Sequence, residues 1–199
     1  MDRRQQVIDV VRERGLVVLP APVRLASGHY SREFVDAKAA MARGGDLRLA
    51  CEALLDRLGP IDFDAIGGPT MGADQFAHGV AILSGRSWFV VRKEPKGRGT
   101  DKLVEGAGVG PGTRAVLVDD VVTTGGSIQA AFAAIAGLGA AVVAAVTLVD
   151  RGDVAAGFFA EKAVPYFPLV TYGDLGIEPV GGAVARTAPH PPVRELRAL

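Results

Sequence analysis

Ala115-Val-Leu-Val-Asp-Asp-Val-Val-Thr-Thr-Gly-Gly-Ser-Ile-Gln129 is the stretch that decides the fold. Ala115 to Val118 are apolar without a break and read as a fully buried strand. Asp119 and Asp120 follow, where that strand is expected to end. Thr123-Thr124-Gly125-Gly126-Ser127 then makes a small, polar, glycine-rich turn into a segment with helical spacing: Ile128, Phe132, Ile135, Leu138. Such a turn leaves backbone N–H groups unpaired at a helix start, where the helix dipole favours an anion. Glycine lets the backbone approach a phosphate closely, and the threonine and serine hydroxyls donate to its oxygens. Two carboxylates beside that cradle suit sugar hydroxyls or a magnesium ion. The pattern implies a sugar phosphate as ligand. It contains no Gly-Lys-Ser/Thr of a Walker loop and no Gly-x-Gly-x-x-Gly dinucleotide turn.

Working outward, 199 residues fit one α/β domain with a full core, and 49% hydrophobic residues fit a compact globule. The 26 glycines exceed the usual share of about 7% and fall largely in turns after apolar strands. Formal net charge is zero, which gives no broad electrostatic case for nucleic acid or a membrane surface. The lone Cys51 excludes an internal disulfide; with Leu47, Leu54, Leu55 and Leu58 it reads as a core thiol in a reducing compartment. No apolar run reaches membrane-spanning length and no signal-peptide pattern follows the charged start, so a cytoplasmic protein is expected.

Helices and strands alternate along the chain, with no internal repeat. A helix is predicted over 2–14, stopped by Gly15, then short strands over 16–37 around Ser27-Gly28. A helix follows over 46–58, then a strand Phe63-Asp-Ala-Ile66 ending in Gly67-Gly68-Pro69-Thr70. Next come a helix near 73–83, a strand Trp88-Phe-Val-Val91 and a polar loop over 93–110. After the opening stretch and its helix, a strand Ala141–Val149 ends in Asp150-Arg151. A short helix near 154–162 and a strand near Tyr166–Val170 complete the core, with Pro168 placing that strand at an edge. The segment 179–199, with Pro179, Pro189, Pro191 and Pro192, reads as a loosely packed, solvated tail.

Alternation of this kind implies a mostly parallel sheet with right-handed crossovers, whose ligands bind beyond the carboxyl ends of the strands. Four strand ends carry small or polar chemistry: Gly67–Thr70, Arg92-Lys93, Asp119-Asp120 and Asp150-Arg151. Parallel geometry brings all four to one rim, so a site is expected there. The segment 92–106 adds five cations among fifteen residues: Arg92, Lys93, Lys96, Arg98 and Lys102. A charged loop is usually just solvated. Here the cations follow a strand end and precede the acidic pair, where forked and mobile donors together suit a polyanionic group.

The opening stretch resembles the 5-phosphoribosyl-1-pyrophosphate (PRPP) motif of type I phosphoribosyltransferases. Arg92-Lys93-Glu94-Pro95-Lys96, leading to Leu103-Val104-Glu105-Gly106, resembles the signature loop of the orotate phosphoribosyltransferase branch. Leu25-Ala-Ser-Gly28, Gly68-Pro69-Thr70-Met71-Gly72-Ala73-Asp74 and Asp150-Arg151 are similar to further motifs of that branch, and the resemblance spans roughly residues 15–178. It implies the type I phosphoribosyltransferase-like fold: a central mostly parallel sheet flanked by helices, with a small N-terminal hood over about 1–40, in a single domain over 1–178. It implies transfer from PRPP to orotate, giving orotidine 5′-monophosphate and pyrophosphate in pyrimidine biosynthesis. The alternatives are another base as acceptor, or a PRPP-binding regulatory protein on the same fold.

The roles implied are these. Asp119 and Asp120 hold the ribose hydroxyls, and Asp120 also faces positive charge developing on the ribose ring. Val121, Val122, Thr123, Thr124, Gly125, Gly126 and Ser127 form the phosphate cradle. Arg92, Lys93, Lys96 and Arg98 bind pyrophosphate, with Lys96 and Asp120 the catalytic pair. Thr123 and Arg151 reach the pyrimidine; without the resemblance, Arg151 reads as a surface ion pair. Mg2+ arrives with PRPP, and a homodimer shares the loop across its interface. The chain departs from the family pattern at Ala26, often Lys, at Arg98, often His or Tyr, and at Phe34-Val35, often an aromatic pair. Asp36-Ala37-Lys38 stands where Asp-Leu-Arg is common. His29, His78 and His190 are isolated and read as packing or surface residues.

Overall fold

The computed structural model describes residues 2–25, 28, 30–94 and 102–180. The elements in chain order are α1 (Arg3–Arg14), β1 (Leu16–Arg24), β2 (Tyr30–Val35), α2 (Ala37–Ala40), α3 (Gly44–Leu58), β3 (Ala65–Pro69) and α4 (Asp74–Ser84). They continue with β4 (Ser87–Val91), β5 (Val104–Gly106), β6 (Arg114–Val122), α5 (Gly126–Gly137), β7 (Ala141–Asp150), α6 (Val154–Glu161), β8 (Tyr166–Thr171) and α7 (Tyr172–Leu175). A six-stranded sheet runs β5-β4-β3-β6-β7-β8, parallel except for β5. A separate antiparallel hairpin of β1 and β2 forms the hood.

Alternation along β6 feeds two cores. Val116 and Val118 join one cluster, with residues of α1, α3 and α4, while Ala115 and Leu117 join the other, with Ile128, Ile135 and Phe159 of α5 and α6. Both faces of β6 are therefore covered, which is why its sequence is continuously apolar rather than alternating. Each large side chain buried this way contributes about 1.5–3 kcal/mol by removal from water. Cys51 is buried in the first core, as its helical spacing predicts, and burial pushes its thiol up to about 12. Its Sγ sits 2.5 Å from where a Cβ on Gly79 would be, so a bare backbone on α4 accommodates it. β8 is the edge strand that Pro168 predicts.

The structure corrects several expectations. Gly67 and Gly68 lie inside β3, not after it. A Cβ on Gly67 would run into the Phe89 carbonyl and one on Gly68 into the Val118 carbonyl, so these glycines permit close approach of neighbouring strands. β6 runs on through Asp119 and Asp120 to Val122, because β7 supplies backbone partners along that length, with Asp119 opposite Thr147 and Val122 opposite Asp150. The stretch 93–110 is not wholly loop: Val104–Gly106 turns back to pair with β4.

Past β8, the short helix α7 is fixed by a capping box between Thr171 and Asp174, and Arg4 of α1 bonds Asp174 at 2.5 Å. Val180 is buried and donates its N–H to the Arg151 carbonyl at 2.6 Å, so packed chain reaches beyond Pro179. The rest of the predicted tail lies outside the described residues. Among the described residues no helix is long and apolar enough to cross a membrane.

Candidate active site

The acidic pair sits at the carboxyl end of β6, in the wall of a cleft of about 970 Å3. Its lining includes Thr70, Gly72, Asp74, Arg92, Lys93, Asp119, Asp120, Val121, Ser127 and Lys38. Three of the four strand ends predicted to converge, those of β3, β4 and β6, meet here. The fourth, Asp150-Arg151, lies beneath the rim rather than in this lining.

Asp119 Oδ1 accepts from the Asp120 N–H at 2.9 Å, and Asp120 Oδ1 accepts from the Val121 N–H at 2.7 Å. Burial, and then the neighbouring Asp120 charge, push the Asp119 carboxyl up to about 8. The turn after β3 passes directly over the pair. A Cβ on Gly72 would come within 2.7 Å of Asp120 Cγ and 2.9 Å of Asp119 Oδ1, so only glycine lets this turn lie there. The Thr70–Met71 peptide within it is cis.

The phosphate turn has the predicted form. Gly125 caps α5 in the left-handed region, φ +75°, and no side chain caps the helix, which leaves its first N–H groups to an incoming anion. Ser127 is exposed in the cleft, and Thr123 and Thr124 are half-buried. Val122 is different: its side chain is buried in the core, so only its backbone is left for a ligand.

Arg92 and Lys93 line the cleft at the end of β4. Arg92 pairs with Glu105 of β5 at 3.2 Å and bonds the Glu94 carbonyl at 3.3 Å, so its guanidinium is held in place. Lys96 and Arg98 lie outside the described residues, as do Ala26, His29 and His190. His78 is exposed on α4 with its ring edge-on to Trp88 at 4.4 Å, a packing role.

Arg151 is not the surface ion pair that its charge alone suggests: it is 1% exposed. Its Nη1 donates to the Glu33 carbonyl at 2.8 Å and Nη2 to the Glu178 carbonyl at 3.5 Å, while Nε is buried without a partner. Arg151 thus ties the hood strand β2 to the segment after α7. Desolvation lowers its pKa.

Lys38 was not singled out as a site residue by sequence, yet its Nζ donates to Asp120 Oδ2 at 3.2 Å from the hood helix α2. No local pattern signals this contact, because the partners are 82 positions apart. Thr70, Gly72 and Asp74 also enter the lining, from the segment where the sequence offered only a motif. Among the described residues no group of three or more His, Cys, Asp or Glu is placed to hold a metal. The donors present, Asp119 and Asp120, fit a magnesium ion that brings most of its ligands from substrate oxygens and water.

A helix N-terminus ready for a phosphate, an acidic pair and a basic rim on one parallel sheet define a sugar-phosphate-binding α/β enzyme. Residues 44–156 match the family described as "Phosphoribosyl transferase domain". Orotate phosphoribosyltransferase of Thermococcus gammatolerans is 34% identical over 178 residues, covering 88% of this chain and 93% of its own. That of Streptomyces coelicolor is 37% identical over 185 residues, covering 89% and 99%. The crystal structure of Mycobacterium tuberculosis orotate phosphoribosyltransferase in complex with PRPP is 30% identical, with a TM-score of 0.73, covering 88% of this chain and 99% of its own. The chain belongs to the orotate phosphoribosyltransferase family.

Proposed function

We propose that this chain transfers the 5-phosphoribosyl group of PRPP to orotate, giving orotidine 5′-monophosphate and pyrophosphate in pyrimidine biosynthesis. The observation that carries this reading is that Asp119, Asp120 and Ser127, at the uncapped start of α5, line one cleft. The C1–O bond to pyrophosphate breaks and pyrophosphate leaves with the bonding electrons. N1 of the base forms the new bond to C1 and gives up its proton. The Thr123–Ser127 turn holds the 5-phosphate with backbone N–H groups and hydroxyls. Asp119 and Asp120 accept from the ribose hydroxyls, and the fixed charge of Asp120 favours the positive charge that develops on the ring.

Arg92, Lys93, Lys96 and Arg98 face pyrophosphate, with Lys96 following its charge as it grows. Thr123 serves the base directly, and Arg151 acts indirectly, by holding β2 in place. Magnesium, bound with PRPP, supplies neutralising charge. The protein acts in the cytoplasm as a homodimer whose Lys96 and Arg98 serve the neighbouring subunit. Support for an interface comes from exposed apolar side chains on adjoining elements, Ile82 of α4 and Trp88 of β4. Mixing Lys96→Ala and Asp120→Asn proteins tests the sharing: hybrid dimers regain activity, and none regained after proven subunit exchange would contradict it.

Pyrophosphate release from PRPP and magnesium with a panel of bases tests the substrate. Orotate alone should support rapid release. A purine or another pyrimidine doing so in its place would overturn the assignment of the base.

A further inference from the structure

The cleft holds an ion pair that the reaction as described does not use. Lys38 stands on α2, whose Asp36 cap accepts from the Ala39 N–H, so its backbone is fixed. Its ammonium meets Asp120 Oδ2 at 3.2 Å, with the Lys38 side chain 56% exposed and that of Asp120 15% exposed. The charged groups around it come from three elements: Asp119 and Asp120 from β6, Asp74 from α4, and Arg92, Lys93 and Glu94 from the end of β4. Ribose hydroxyls are hydrogen-bond donors and need Asp120 as an acceptor, so PRPP and Lys38 compete for one carboxylate.

We propose that Lys38 is a positioning residue. In the empty cleft it holds the Asp120 carboxylate oriented from the hood side, and it yields Asp120 to the ribose hydroxyls as PRPP enters. Its ammonium then faces the anionic oxygens of the substrate. The exchange costs little because the cation swaps one anionic partner for another within the same cleft. This inference rests on the PRPP site proposed above but not on the identity of the base.

The test compares Lys38→Met and Lys38→Arg with the parent. It uses PRPP calorimetry, steady-state kinetics, and a thermal melt to establish folding. Loss of one charge-assisted contact should raise the PRPP KM and dissociation constant of Lys38→Met about tenfold, with kcat changed far less. Lys38→Arg should restore both readouts. A folded Lys38→Met protein with unchanged PRPP affinity, or one that loses only kcat, would overturn the proposal. So would failure of arginine to rescue. If the parent binds PRPP but does not use orotate, the base assignment fails while the Lys38 result still stands.

Discussion

On the sheet side of the cleft, the acidic pair and phosphate turn come from nine consecutive residues, Asp119 to Ser127. On the hood side, Lys38 and Arg151 reach their partners across 82 and 118 positions. The first wall is one strand, one turn and one helix, so its geometry follows from local rules of pleat, capping and glycine conformation. The second exists only once β2, α2 and β7 have been brought together by the fold. The phosphate turn is therefore set locally, whereas the contacts of Lys38 and Arg151 are set by tertiary packing. Of the departures from the family pattern, Lys38 lies on that second wall, while Phe34 is exposed on β2 and Val35 is buried in the core.

The largest expected effect is on the sheet side. Asp120→Asn keeps shape and the bond to the Val121 N–H but removes charge opposite the ribose, so kcat should fall about 10²–10³-fold with the melting temperature little changed. A kcat within a few-fold of the parent would assign the electrostatic role elsewhere. On the hood side, Arg151→Ala leaves the Glu33 and Glu178 carbonyls without their partner. It should cost about 2–4 kcal/mol in denaturant unfolding and raise the orotate KM, while PRPP affinity holds. Full stability and orotate turnover together would show that Arg151 neither ties the hood nor serves the base.

The smallest effect is a slope. The folded protein keeps Asp119 protonated up to about 8, against an ordinary 3.8, so the folded state binds a proton that the unfolded chain releases. Stability from this group is full below about 4 and is lost as pH rises towards 8. Thermal midpoints of the empty protein should decline over that range, and Asp119→Asn, neutral throughout, should decline less. Parallel slopes would mean that Asp119 is already ionised in the empty cleft.

Much of this was legible in the sequence. The α/β alternation, the edge position of Pro168, the buried Cys51 and the Gly125 turn all follow from period and local chemistry. The end of β6 was not legible, because Asp119 and Asp120 continue the strand only where β7 offers backbone partners. Gly67 and Gly68 read as a turn, since sequence cannot show that the Phe89 and Val118 carbonyls crowd them. The burial of Arg151 was not legible, because an arginine capturing distant backbone carbonyls leaves no local mark. Lys38 was visible only as an odd residue in a motif.

The central claim is that the turn from Thr123 to Ser127 makes the 5-phosphate site, and calorimetric titration with PRPP and magnesium tests it. Gly125 holds φ +75°, and a Cβ there would stand 3.0 Å from Gln129 Nε2 and 3.4 Å from Ala155 Cβ. A β-branched residue in that conformation costs of order 1–3 kcal/mol and blocks close approach of the turn to a phosphate. A folded Gly125→Val protein should bind PRPP at least about a hundredfold more weakly than the parent, while Arg151→Ala binds it nearly as well. Undiminished PRPP affinity in folded Gly125→Val would contradict the account.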